Sequence, residues 1–102
     1  MRYRVVFTEK AQGQFAQLPR AIRARLGERV SDLAEEPRPS GSVKIKGFDD
    51  CYRIRQGDYR VVYAVVDDML VVLVVRAGHR RDVYERMEAL GKRVDKFRET
   101  RT

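Results

Sequence analysis

The sequence predicts an α+β fold: an antiparallel β-sheet, two helices from the N-terminal half packed on one face, and a short C-terminal helix. Three observations carry this. Apolar residues recur at helical spacing between residues 22 and 33. From residue 43 onward the period changes to two, over four short segments parted by turn signals. A lone strand-like segment precedes the helices. Helices followed by a strand meander on one core give the α+β class.

The elements follow in order. "RYRVVF" (2–7) reads as a first strand that joins the sheet as an edge. Thr8 is placed to cap the next helix, because its hydroxyl can accept from the amides of the first turn. Gly13 weakens that helix, and Pro19 suits the first turn of a second one. There Ile22, Leu26, Val30 and Leu33 form an apolar stripe among charged residues. "EEPRPSGS" (35–42) is a loop. "VKIKGF", "CYRIRQ", "YRVVYAVV" and "MLVVLVV" read as antiparallel strands, with turns at Gly57-Asp58 and Asp67-Asp68. "RDVYERMEAL" reads as a short helix beginning near Asp82. One domain over residues 1–88 and a basic tail over 89–102 account for the chain, with no internal repeat.

Lysine and arginine number 22 against 15 acidic residues, a formal charge of +7, while the hydrophobic fraction of 43% is ordinary for a globular protein. The excess suits a polyanion or an acidic protein partner; the competing reading is that it serves solubility alone. Cys51 and His79 are each the only residue of their type, so neither a disulfide framework nor a cysteine-rich zinc site is expected, and no metal or cofactor. "MRYRVVFTEK" is charged and strand-like, unlike a signal segment, and the apolar run Met69 to Val75 is too short to cross a bilayer. The expectation is a cytoplasmic protein without a membrane partner.

A two-residue loop at Gly57-Asp58 pairs Gln56 with Tyr59, Arg55 with Arg60, Ile54 with Val61 and Arg53 with Val62. Tyr52, Ile54, Val61 and Tyr63 then face the helices, and Arg53, Arg55 and Arg60 share the opposite face. Like charges directly opposite one another disfavour a hairpin, and a bound anion would relieve them. The alternative is a solvated face quenched by nearby glutamates. Extending the pairing through Asp67-Asp68 sets Arg60 opposite Val75, with residues 77 and 79 on the same face. That brings His79 and Arg80 beside the arginines, and a helix starting at Asp82 places Tyr84 on its first turn.

Such a site suits metal-free RNA cleavage, in which the substrate's own 2′-hydroxyl attacks the adjacent phosphate. Arginines stabilise the phosphorane but do not take protons. Histidine is the side chain suited to exchanging a proton near neutrality, so His79 is then the candidate for proton transfer, against the reading of a structural histidine. Tyr84 is a candidate for stacking on a base, and Arg81 joins Arg53, Arg55, Arg60 and Arg80 as a phosphate-binding candidate.

"CYRIRQGDYRVVYAVVDDMLVVLVVRAGHRRDVYERM" closely resembles the C-terminal half of RelE toxins of toxin–antitoxin modules. "LPRAIRARL" and "KIKGF" fit as well, so that the resemblance spans residues 2–88, with "DYRVVY" and "GHRRDVY" its more specific patterns. It implies a microbial RNase-like fold and a type II toxin that enters the ribosomal A site and cuts messenger RNA there. It also implies a cognate antitoxin, which wraps the toxin and fills its sheet edge and helix groove, and contact with operator DNA only through their complex. The resemblance marks Arg53 and Arg55 as basic active-site positions, Arg60 and Arg80 as phosphate-binding and transition-state-stabilising, and Tyr84 as the residue that orients or stacks on RNA. The best-known RelE proteins carry lysines at the first two positions, a departure that raises the claim of His79 as the base. The same superfamily holds ParE-type toxins, which inhibit DNA gyrase without nuclease activity, and a degenerate toxin that only binds is a third reading. The tail (Lys92, Arg93, Lys96, Arg98, Arg101) would touch ribosomal RNA or an acidic antitoxin, or else be a frayed, solvated end.

Overall fold

The computed structural model describes residues 2–48, 50–81 and 83. The expected C-terminal helix, Tyr84 and the basic tail lie outside the described residues. The order is β1 (Arg4–Phe7), α1 (Glu9–Ala16), α2 (Arg20–Asp32), β2 (Val43–Lys44), β3 (Cys51–Gln56), β4 (Tyr59–Val66), a 3₁₀ turn (Asp67–Met69) and β5 (Val71–His79). The five strands form one sheet in the order β1-β5-β4-β3-β2.

Local chemistry explains where the helices begin. Thr8 is extended (φ −67°, ψ 158°), and its hydroxyl accepts from the Ala11 amide at 3.1 Å, as a threonine N-cap should. Pro19 stands at the N-cap of α2, one residue before the first turn in which it was expected. Leu26, Val30 and Leu33 are buried from the second helical segment, with Ile22 packed at the margin.

The helices cover one face of the sheet. Ala11, Leu18, Leu26, Val30 and Leu33 pack on Ile54, Val61, Tyr63, Val65, Val72, Val74 and Ala77. The other face has its own apolar cluster: Cys51, Val62, Ala64, Val66, Val71, Leu73, Val75 and Val83, flanked by Ile45, Phe48 and Met69. β4 and β5 are therefore buried on both sides for most of their length, as central strands.

Three expectations need correction. The sheet is mixed, because β1 runs parallel to β5, from Arg4 opposite Val71 to Phe7 opposite Val74. A tight turn forces antiparallel pairing only on consecutive strands, and β1 joins the sheet through two helices. "VKIKGF" contributes only two strand residues, since the chain turns through Gly47 (φ +86°) and Asp50 (φ +62°) and sends Ile45 and Phe48 into the second cluster. The β4–β5 connection is longer than Asp67-Asp68. It runs through a 3₁₀ turn to Leu70 in the left-handed region (φ +53°), so that Val66 pairs with Val71.

The end of the sheet away from the β3–β4 hairpin is tied by a polar network. Arg38 donates to Asp67 (2.7 Å) and to the Tyr52 hydroxyl (2.9 Å), and Tyr3 donates to Asp67 at 2.5 Å. The Arg38 hydrogen bond, with that of Tyr3, holds the Asp67 carboxyl below the usual carboxylate range. Tyr63 donates to the Pro37 carbonyl at 2.7 Å, and burial pushes its hydroxyl up to about 12. These contacts fix the loop that follows α2 against the sheet.

Candidate functional site

The β3–β4 hairpin has the expected register: Arg53 opposite Val62, Ile54 opposite Val61, Arg55 opposite Arg60 and Gln56 opposite Tyr59. Gly57, at φ +61°, takes the left-handed conformation that a two-residue loop requires. Faces alternate along strands, so Arg53, Arg55 and Arg60 share the face opposite the helices.

Beyond Tyr63 the pairing of β4 with β5 shifts by one residue. Tyr63 pairs with Val74 but Val62 pairs with Arg76, leaving Val75 as the extra residue of a bulge. Arg60 consequently faces Gly78, not Val75, and Tyr59 faces His79. Two lateral rows result on the arginine face: Arg53, Val62 and Arg76; then Arg55, Arg60 and Gly78. Arg76 is a fourth, buried arginine here, and sequence reasoning missed it because the register was counted without the bulge.

His79 is displaced from its expected place. It lies on the helix-facing side, edge-on to Tyr59 with ring centroids 5.6 Å apart. Its Nδ1 accepts from the Arg81 amide at 3.2 Å, which occupies one of its two nitrogens. The histidine was expected beside Arg53, Arg55 and Arg60; the sheet separates it from them.

Arg80 does reach the hairpin. Its amide donates to the Asp58 carbonyl at 2.7 Å, and its guanidinium lies 3.8 Å from the Asp58 carboxylate, both side chains more than half exposed. Arg81 is exposed in the same turn. Arg60 is nearly buried, and its guanidinium donates to the Gly57 carbonyl at 2.9 Å and that of Tyr59 at 3.3 Å. Those bonds hold its orientation without neutralising its charge. Arg29 donates to the Arg55 carbonyl, adding a further cation at this end of the hairpin.

The quenched-face alternative has no support among the described residues. Their ion pairs join Arg2 to Glu35, Arg38 to Asp50 and Asp67, and Arg80 to Asp58; none involves Arg53, Arg55 or Arg60. Opposite Arg60, a Cβ placed on Gly78 would meet nothing within 4 Å. Guanidiniums gathered on one face of a sheet, without an ion-pair partner among the described residues, are a site for a phosphate-bearing ligand.

Comparison with known proteins agrees with this fold. The family model described as the ParE toxin of the type II toxin–antitoxin system parDE matches residues 5–84. The mRNA interferase toxin RelE of Escherichia coli is 35% identical over 82 residues, covering 78% of this chain and 85% of that protein. A mutant of the E. coli toxin RelE, solved in the free state, superposes with a TM-score of 0.72 at 31% identity, covering 94% of this chain and 98% of that one. A chain of the intact E. coli RelBE toxin–antitoxin complex gives a TM-score of 0.69 at 33% identity, over 76% and 95% of the two chains.

Proposed function

Because the chain belongs to the RelE/ParE superfamily of type II toxin–antitoxin toxins, on its RelE branch, we propose that it is an mRNA endoribonuclease. The observation that carries this reading is the shared face of Arg53, Arg55 and Arg60, which have no ion-pair partner among the described residues.

The chemistry follows from the residue types. The RNA's 2′-hydroxyl loses its proton to solvent water and attacks the neighbouring phosphorus, and the 5′-oxygen of the next nucleotide leaves and takes up a proton from water, giving a 2′,3′-cyclic phosphate. Negative charge grows on the non-bridging oxygens in the transition state, and fixed cations there stabilise it more than the ground state. Arg60 is held in place for that work by the Gly57 and Tyr59 carbonyls. Arg53 and Arg55 grip the flanking phosphates, and Arg80 and Arg81 approach from the end of β5, Arg80 exchanging its contact with Asp58 for a phosphate oxygen. Tyr84 stacks on the RNA. No metal ion is assigned to the reaction. An arginine-lined site is poor at proton transfer, so it depends on a substrate already bent towards in-line attack. A messenger presented in the ribosomal A site meets that need. A cognate antitoxin holds the toxin in check, as RelB accompanies RelE in the E. coli complex, and operator DNA is met only through that complex.

The family model's description favours a second reading, a ParE-like gyrase inhibitor without nuclease activity. One experiment separates the two: purified toxin is incubated with messenger RNA, with and without programmed ribosomes, and the ends are mapped. We expect cleavage within the A-site codon, only with ribosomes, reduced by roughly 10²–10³ in Arg60→Ala if that residue stabilises the developing charge. Folded protein that cleaves under neither condition and instead blocks gyrase supercoiling would overturn the ribonuclease reading.

A further inference from the structure

On the helix side of the sheet, at the same end as the arginine face, lies a small cleft of about 290 Å³. It exists because β1 stops at Phe7, opposite Val74, while β5 continues to His79. On the side away from β4, the edge of β5 beyond Val74 therefore has no neighbouring strand among the described residues, and α1 takes over part of the strand's role. The Gln14 carboxamide oxygen accepts from the Ala77 amide at 3.0 Å. Leu18 and Ala77 are the apolar part of the lining, and Tyr59 and His79, perpendicular to one another, supply aromatic surface. Gln14 keeps its amide NH₂ group as a donor, and the exposed Gln17 brings a second carboxamide. With His79 Nδ1 engaged by the Arg81 amide, Nε2 is the nitrogen left to that ring for a ligand.

We propose that this cleft binds a single nucleobase. Its volume, at the low end for a ligand site, suits one flat ring system and not a whole nucleotide. Aromatic surface, an apolar floor and carboxamides able both to donate and to accept are what unstacked bases are recognised by. An inorganic anion would find no arginine or lysine among the six side chains named. Gly78 joins the two sites: it lines the cleft, and it stands opposite Arg60 on the sheet. With no side chain to obstruct it, a strand whose phosphate rests on Arg60 can pass the tip of β5 and lay a neighbouring base beside Tyr59 and His79. The inference rests on the ribonuclease reading only in naming RNA as the source of the base. In this role His79 contacts a base and stands apart from the reacting phosphate.

His79 is the only histidine of the chain, so its two imidazole C–H resonances are unambiguous probes. Purified toxin is titrated with each of the four ribonucleoside 5′-monophosphates, with ribose 5-phosphate and inorganic phosphate as controls. At least one nucleotide should shift the His79 resonances saturably, the controls should not, and Gln17→Ala should weaken that nucleotide about tenfold. Gln17 is exposed at the end of α1, so this variant leaves the core intact. No shift with any nucleotide, an equal shift with ribose 5-phosphate, or an unchanged affinity in Gln17→Ala would overturn the proposal. The readout needs no ribosome and no cleavage, so base binding by an inactive protein would defeat the ribonuclease reading alone. Cleavage without base binding would defeat this inference alone.

Discussion

Arg55 and Arg60 face each other directly across the β3–β4 ladder, and replacing one of them tests whether this pair sacrifices stability for anion binding. Arg55→Gln removes a charge and retains most of the aliphatic stem. The Arg29 contact survives, because it is made to the backbone carbonyl of residue 55. Like charges in directly opposed positions destabilise a sheet pair by about 0.2–1 kcal/mol. Arg55 is exposed and Arg60 is not, which places the relief near the middle of that range, about 0.5 kcal/mol. For a domain of this size 1 kcal/mol moves Tm by roughly 4–8 °C, so the variant should melt about 2–4 °C higher.

Salt separates this explanation from a change in packing or propensity. The screening length is about 30 Å at 0.01 M salt and about 3 Å at 1 M. The variant's advantage should therefore be full in 10 mM salt and nearly absent in 1 M sodium chloride, with thermal unfolding followed by circular dichroism at both. Phosphate should raise the Tm of the wild-type protein more than that of the variant. A lower Tm for Arg55→Gln in low salt, or a gain that does not change with salt, would refute the claim of an electrostatic conflict built into the site.

Two further outcomes concern the opposite end of the sheet. Asp67 has a depressed folded-state pKa, so its contribution is fully present above the unfolded value of about 4 and is lost as pH falls through the lower folded value. Asp67→Asn should therefore lower stability at pH 7 and flatten the acid limb of a denaturation profile; an unaltered acid limb would refute this assignment. Tyr63 is raised to about 12, so its contribution is complete below about pH 10 and is lost as pH rises through 12. Tyr63→Phe should remove that alkaline loss and, by leaving the Pro37 carbonyl without its donor, cost about 1 kcal/mol in neutral urea melts.

Much of the fold is legible where a local rule decides alone. Thr8 caps α1 because an extended threonine ahead of a helix has little else to bond. Leu26, Val30 and Leu33 are buried because their spacing gives the helix one apolar side. Gly57 fixes the hairpin, and from it the shared face of Arg53, Arg55 and Arg60. What the sequence does not reveal are relations between distant segments. The direction of β1 depends on which edge of the sheet it meets after two helices, and nothing within "RYRVVF" encodes that. "VKIKGF" alternates like a strand, but Ile45 and Phe48 leave the ladder to cover the second apolar cluster.

The placement of His79 turns on parity. Reading the β4–β5 turn as residues 67–68, when it takes up 67–70, shifts every partner by two, and a shift of two leaves each side chain on its face. The extra residue at Val75 shifts them by one more and exchanges the faces of everything after it. Without it, Arg76 would point into the helix-side core against Val61, and Ala77 would stand opposite Arg60. With it, Arg76 joins the arginine face, Ala77 fills the helix-side core, and Gly78 sets no side chain opposite Arg60. The sequence cannot announce the bulge, because "VVLVV" is buried on both sides and carries no alternation that a slipped register would violate. The constraint appears only past that run. A charged residue followed by alanine, glycine and histidine must be divided between a basic face and an apolar one, and a single bulge is the smallest change that sends Arg76 to the basic side.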